Sequence, residues 1–294
     1  MRLRRSQPSV IYYKFVVIKA SHFRRFVVLM AMLGLAFSFL PTANAANRYD
    51  SYRQRVVVIG PERFDLDVVA INLRNPKLVV QTLAATTKTN CYQQPCAVKA
   101  LRSYVSNKKV MAAINGSYFC PKDYASCAGQ AGSYYWMVYD ARRKVFVNEQ
   151  QNQFNNGGLF IAFRDRTVAF YPDTKPFTKE GIINTVDRNN LTAAISNGPT
   201  LINKKKFVLD ETQLDTKQRT VKSNRSGLGI KGSTIYLIVA RKATVIDLGY
   251  MMEALKMDFA MNLDGGGSSA LWYRGSYKVG PGRNIPNALV VRTR

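Results

Sequence analysis

Phe259-Ala260-Met261-Asn262-Leu263-Asp264-Gly265-Gly266-Gly267-Ser268-Ser269 begins as an apolar run and turns abruptly into glycine and serine. The first five residues read as a buried strand, 259–263. Three consecutive glycines at its end are costly in conformational entropy, so some feature of the folded state must require them. Residues without Cβ let a ligand approach the backbone and let successive N–H groups converge on an anion. Asp264 sets a carboxylate at the strand end, and Ser268 and Ser269 set two hydroxyls just beyond it. A tight turn capped by Asp264 is the plainer reading of the same residues. The spacing matches neither the Rossmann nor the P-loop pattern, and it lacks the P-loop lysine.

Outward from this stretch the chain reads as many short strands with two helices. Segments 55–59, 64–73 and 78–83 are rich in Val and Ile and bounded by Gly60-Pro61 and Asn75-Pro76. Ala97, Ala100, Leu101 and Tyr104 recur at helical spacing, which predicts a helix within 96–107. A short buried strand, 110–114, ends in Asn115-Gly116. Further strands are expected at 134–139, 145–147, 159–164, 168–171, 234–240, 269–273 and 288–292. The polar stretch 173–187, with Pro176 and Gly181, reads as a loop excursion. Asp247 is placed to cap a helix over 248–257, with Leu248, Met251 and Leu255 on its inner face. The expected fold is α+β: a single strand-rich domain with a mixed β-sheet core and a few helices.

The 294 residues hold 43 Lys and Arg against 18 Asp and Glu, a formal charge of +25. Seven of those bases and none of the acids lie in residues 1–45, so 46–294 retains 36 bases and 18 acids, net +18. At 47% apolar residues, disorder is excluded. Arg24-Arg25, the 15-residue apolar run from Phe26 to Leu40 and the ending Ala43-Asn44-Ala45 describe a secretory signal peptide cut after Ala45. An uncleaved anchor is the rival, but the run falls short of the ~20 residues a spanning helix needs. The domain 46–294 is thus expected to be exported, to a periplasm or outside the cell.

Cys91, Cys96, Cys120 and Cys127 agree with an oxidising compartment. Four cysteines allow three pairings; the local pairs Cys91–Cys96 and Cys120–Cys127 are favoured, and their spacings suit a zinc ribbon poorly. The only histidine, His22, lies in the leader. The exported part therefore has no imidazole, which excludes a Ser-His-Asp triad, a Cys-His pair and a histidine zinc site. No motif calls for a metal or cofactor. The basic surface would attract anionic polymers, including an anionic envelope surface, but no basic run interleaved with aromatics marks a specific nucleic-acid site.

Asn115-Gly116-Ser117-Tyr118-Phe119, Ser196-Asn197-Gly198-Pro199 and Arg225-Ser226-Gly227-Leu228-Gly229 are each weak alone. Arg225 does offer a planar fork suited to phosphate. Taken in order with the Asp264 block and the tail Gly282-Arg283-Asn284-Ile285-Pro286-Asn287-Ala288, they resemble the phosphodiester glycosidase family over roughly 110–291. That family includes the enzyme that removes N-acetylglucosamine from its phosphodiester link to mannose 6-phosphate. The chain departs in having Asn197 where a glycine is common, and in the cysteines beside Asn115.

The resemblance implies a hydrolase acting on a sugar-1-phosphodiester, with a phosphate-bearing sugar or glycan as its partner. It implies Asp264 and Asn115 as catalytic residues. Arg225, Asn197, Gly198, Gly265, Gly266, Gly267, Ser268 and Ser269 would surround sugar or phosphate. The chemistry is feasible without histidine, because a phosphate monoester is already a good leaving group. Two other classes stay open: a non-catalytic exported binder of anionic envelope glycans on the same scaffold, and a secreted nucleic-acid binder indifferent to Asp264.

Overall fold

The computed structural model describes residues 49–154 and 156–294. The leader 1–45, and with it the expected cleavage site, lies outside the described residues. Strands form three sheets. The largest has seven strands in the spatial order Asp50–Ile59, Glu62–Asn72, Thr234–Ala243, Ser223–Lys231, Phe259–Asn262, Thr200–Asn203 and Lys206–Phe207. A five-stranded sheet runs Ser276–Val279, Leu271–Tyr273, Val110–Asn115, Asn287–Thr293 and Leu78–Ala84. The third runs Val145–Val147, Val138–Asp140, Leu191–Asn197, Gly158–Phe163 and Val168–Tyr171. One apolar cluster draws on all three, with Ile71 and Leu237 from the first, Ile114 and Leu289 from the second, and Phe160 and Ile195 from the third. Each such fully buried side chain contributes about 1.5–3 kcal/mol. The fold class is α+β, as expected.

Pairing is antiparallel in the ladders between the described strands, so the expected mixed sheet is corrected. Chain neighbours such as Glu62–Asn72 and Asp50–Ile59 fold back through a tight turn, which antiparallel pairing permits and parallel pairing does not. The central strands Ser223–Lys231 and Leu191–Asn197 carried no strand expectation. Glycine and serine dilute their apolar pattern, yet both are buried along most of their length.

Three local expectations are also corrected. In 96–107 only Leu101–Tyr104 is helical, because Lys99 pairs with Ile285 through backbone hydrogen bonds and Cys96 is held by its disulfide. The excursion 173–187 contains two single-turn helices, Lys175–Lys179 and Ile182–Thr185, which bury Phe177 and Ile183. Pro176 stands in the first turn of the former, where its missing N–H costs nothing. Among the described residues the longest helix is Val245–Ala254, and its N-cap is Thr244, not Asp247. Thr244 Oγ1 accepts from the Asp247 N–H at 3.1 Å, and Asp247 Oδ2 accepts from the Thr244 N–H at 2.8 Å, completing a capping box. Among the described residues, no helix is long and apolar enough to cross a membrane.

Candidate active site

One strand of each sheet ends in a buried asparagine: Asn115, Asn197 and Asn262. Their side chains tie the sheets together where the strand ends converge. Asn115 Nδ2 donates to the Asp264 carbonyl at 2.6 Å, while its Oδ1 accepts from Ser226 Oγ at 2.8 Å and the Ala270 N–H at 3.1 Å. Asn197 Nδ2 donates to the Asn262 carbonyl and its Oδ1 accepts from the Tyr118 N–H, both at 2.9 Å. Asn262 Nδ2 donates to the Gly198 carbonyl at 3.0 Å and to the Tyr118 hydroxyl at 2.6 Å. Asn115 and Asn197 are thus braces behind the site rather than groups facing it.

In front of these braces lies a cavity of about 280 Å³. Its floor is formed by Asp264, Gly265, Gly266 and Ser268, and its walls include Arg225, Arg283 and Tyr118. The three glycines serve three different needs. A Cβ on Gly265 would sit 3.0 Å from the Asn224 carbonyl oxygen and 3.3 Å from Arg225 Cδ. Gly266 adopts φ +59°, the left-handed region glycine enters without steric cost. A Cβ on Gly267 would lie 2.6 Å from Arg283 Nη2. Gly265 therefore makes room for the Asn224 carbonyl and the Arg225 stem, and Gly267 for the Arg283 guanidinium, reasons the sequence pattern did not disclose.

Arg225 is buried, with Nε on the Ala243 carbonyl at 3.1 Å and Nη2 on the carbonyls of Lys217 and Val221 at 2.8 and 2.6 Å. Backbone oxygens orient it without neutralising its charge. Arg283 donates from Nη1 to Asp123 Oδ1 at 3.2 Å and lies 5.3 Å from the Tyr124 ring centroid. Burial raises the Asp264 pKa from an ordinary carboxylate value to about 7. Hydrogen bonds from Ser268 and the Gly265 N–H, then the charges of Arg283 and Arg225, pull the other way. A carboxyl poised near neutrality can accept or release a proton under working conditions. Ser269 Oγ, by contrast, turns to the Asn224 carbonyl at 3.3 Å.

Two residues without an assigned role in the sequence reading belong to this cavity. Arg283 stood in the family-like tail, the single cation of that segment. Tyr118 stood in the Asn115 motif, and its hydroxyl accepts from both Asn262 Nδ2 and Gln218 Nε2, the latter at 3.1 Å. With two amides donating to it, the phenol proton is left to donate elsewhere. Burial pushes the Tyr118 pKa up to about 12, so the proton stays on at neutral pH. Among the described residues, no group of three or more His, Cys, Asp or Glu side chains could hold a metal ion. The four cysteines form Cys91–Cys96 and Cys120–Cys127.

Residues 108–292 match the family model described as phosphodiester glycosidase. The chain belongs to the phosphodiester glycosidase family. The solved catalytic domain of zebrafish N-acetylglucosamine-1-phosphodiester alpha-N-acetylglucosaminidase, auto-inhibited by its pro-peptide, shares the fold. It matches with TM-score 0.62 and 16% identity over 85% of each chain. A hypothetical protein from Synechocystis matches with TM-score 0.62 and 15% identity over 83% of this chain. This chain spans 62% of that structure's length. No curated protein sequence matches the chain.

Proposed function

We propose that this protein is an exported hydrolase that cleaves the C1–O bond of a sugar-1-phosphodiester in an anionic glycan or glycoconjugate. The observation that carries the reading is Asp264, buried at the floor of a cavity whose walls hold two guanidinium groups, Arg225 and Arg283. A phosphodiester carries one negative charge, and the two arginines offer it charge-assisted hydrogen bonds. Asp264 stands where a water molecule attacking the anomeric carbon would give up its proton. The C1–O bond breaks with its electron pair going to the phosphate oxygen, water supplies the new oxygen on C1, and Asp264 takes the proton. The products are free sugar and a phosphate monoester, which leaves as an anion and needs little protonation. Tyr118 donates its free hydroxyl proton to sugar or phosphate, and Ser268 fixes the Asp264 carboxyl. Asn115 and Asn197 act through the backbone they hold.

Export is supported by the signal-like leader and the two disulfides. The net +18 of residues 46–294 would hold the enzyme near anionic envelope glycans. The test is free-sugar release by the purified, oxidised protein from a panel of sugar-1-phosphodiesters, with Asp264→Asn as control. Release by the wild type alone is the expected result. Absence of turnover across the panel, with tight binding of an anionic glycan, would replace this reading with that of a binding protein.

A further inference from the structure

The five-stranded sheet has two unlike ends. At one stand Ala84, Asn115, Leu271 and Asn287, none of them charged, and Asn115 holds the Asp264 carbonyl. At the other end every one of the same four strands is flanked by a cation. Lys77 precedes Leu78–Ala84, Lys108 and Lys109 precede Val110–Asn115, Arg274 follows Leu271–Tyr273, and Arg294 follows Asn287–Thr293. Backbone hydrogen bonds set these ends side by side. The Arg294 N–H donates to the Lys77 carbonyl at 2.8 Å, the Thr293 N–H to the Lys109 carbonyl at 2.9 Å, and the Arg274 N–H to the Met111 carbonyl at 2.8 Å. Neighbouring strands lie about 4.8 Å apart, so the four adjacent strand ends carry a row of cations roughly 15 Å long. Val110–Asn115 rises about 17 Å, which separates this row from the end of the sheet that carries Asn115.

A cavity of about 480 Å³ opens in the cationic end, lined by Lys108, Lys109 and Arg274 together with Ser106, Asn107 and Thr293, and by no Asp or Glu. Buried Asp50 accepts from Arg274 Nε at 2.8 Å and from its Nη2 at 3.1 Å, which neutralises that arginine. Among the described residues, no carboxylate lies within ion-pair distance of Lys77, Lys108 or Lys109. All three lysines are exposed. Two of them leave a fixed turn: Asn107 Oδ1 accepts from the Lys109 N–H and the Asn107 carbonyl from the Val110 N–H, both at 2.9 Å.

We propose that this end of the sheet binds an anionic polysaccharide, at a site remote from Asp264. Sulfate, phosphate or carboxylate groups along the sugar chain pair with Lys77, Lys108 and Lys109, and sugar hydroxyls meet Ser106, Asn107 and Thr293. Uncompensated cations this close repel one another, and a polyanion laid along them removes that repulsion and releases its own counterions. A lipid surface fits less well, because none of the apolar residues in the lining, Val105, Val110, Met111 and Trp272, is exposed to enter a bilayer. A single-stranded nucleic acid needs open aromatic faces for its bases. Trp272 is only 8% exposed, with the Arg102 guanidinium 5.9 Å from its ring centroid. The site binds without turnover and stands whether or not Asp264 hydrolyses a phosphodiester.

The experiment titrates the full oxidised protein with heparin over a range of salt concentrations, alongside thermal melts. The variant Lys77→Gln/Lys108→Gln/Lys109→Gln removes the row. The control Arg53→Gln/Arg55→Gln/Lys204→Gln removes three exposed cations from the seven-stranded sheet, for the same change in net charge. Heparin affinity at low salt should fall at least ~10-fold in the first triple, and the slope of log affinity against log salt should flatten by about 2, as for three lost contacts on a single-stranded polyanion. The control should keep its affinity within about twofold, and Asp264→Asn should bind heparin as the wild type does. Equal losses in the two triples would reduce the effect to net charge and overturn the proposal. So would a first triple that binds like the wild type, or a changed affinity in Asp264→Asn, which would place the polymer at the Asp264 cavity. Phosphatidylglycerol vesicles or oligo(dT) bound more tightly than heparin, and lost in the first triple, would replace the polysaccharide with a membrane or a nucleic acid.

Discussion

A side-chain carbon on Gly267 would stand 2.6 Å from Nη2 of Arg283, and the Arg283 N–H in turn donates to the Gly267 carbonyl at 2.8 Å. The glycine and the arginine are thus one fitted unit, with the guanidinium lying over bare backbone. Gly267→Ala should push the Arg283 side chain aside while leaving the sheets alone, since the clash is with the end of a flexible side chain. Affinity for inorganic phosphate should fall ~10-fold, the order of one charge-assisted hydrogen bond. Isothermal titration alongside a thermal melt checks this; an unchanged phosphate affinity would remove Arg283 from the anion site.

Asp264→Asn retains the size of the side chain and an oxygen for the Gly265 N–H, which donates to Asp264 Oδ1 at 2.9 Å. Turnover should drop by about 10²–10⁴, the range for losing a proton-transfer group. The melting curve should stay cooperative. Single-turnover release of sugar at the wild-type rate would show that Asp264 does not carry the reaction.

Ionisation of Asp264 should leave a signature in both stability and rate. Its folded pKa, about 7, lies above the ~3.9 of an unfolded aspartate, so the folded state holds this proton more tightly. The resulting stabilisation is full below about pH 4 and is lost as pH rises through about 7. Asp264→Asn should flatten that part of the stability profile, measured as Tm against pH. If the carboxylate is the base, kcat/KM in the wild type rises over the same interval toward a plateau.

Asn115 satisfies three buried partners: the Asp264 carbonyl, Ser226 Oγ and the Ala270 N–H. Asn115→Leu would leave them stranded, at about 1–3 kcal/mol for each unsatisfied group. Urea denaturation should show a midpoint shift of that order with an unchanged m-value. A variant as stable as the wild type would mean these groups find other partners.

The disulfides close short loops, and each should contribute about 2–3 kcal/mol in the chain-entropy model. Dithiothreitol should therefore lower Tm. Equal Tm in oxidised and reduced protein would show the loops held by packing alone.

Much of this protein was legible along the chain. The α+β class, the strand leading into Asp264 and the family all follow from short contiguous patterns, whereas the cysteine pairing, favoured as local, was chosen among three possibilities only by the structure. Those patterns encode local backbone demands: alternation, glycine where φ is positive at Gly266, and proline at turns. Ser223–Lys231 escaped because Gly227 and Gly229 dilute its apolar signal. Their missing side chains make room for Met252 and Met257, residues distant in sequence. The helix expected across 96–107 failed for a related reason: backbone pairing of Lys99 with Ile285 outweighed helical spacing.

The site divides in the same way. Sequence alone marked Asp264 and Arg225, since a carboxylate beside a glycine run and an arginine in a family motif stand out one residue at a time. Only the tertiary structure separated asparagines that brace from residues that face the cavity, and brought Arg283 and Tyr118 beside Asp264. Hydrogen-bond direction, burial and the clash a Cβ would make all depend on atoms contributed by other strands. No spacing rule contains them; they exist only once three sheets meet at their asparagine-capped ends.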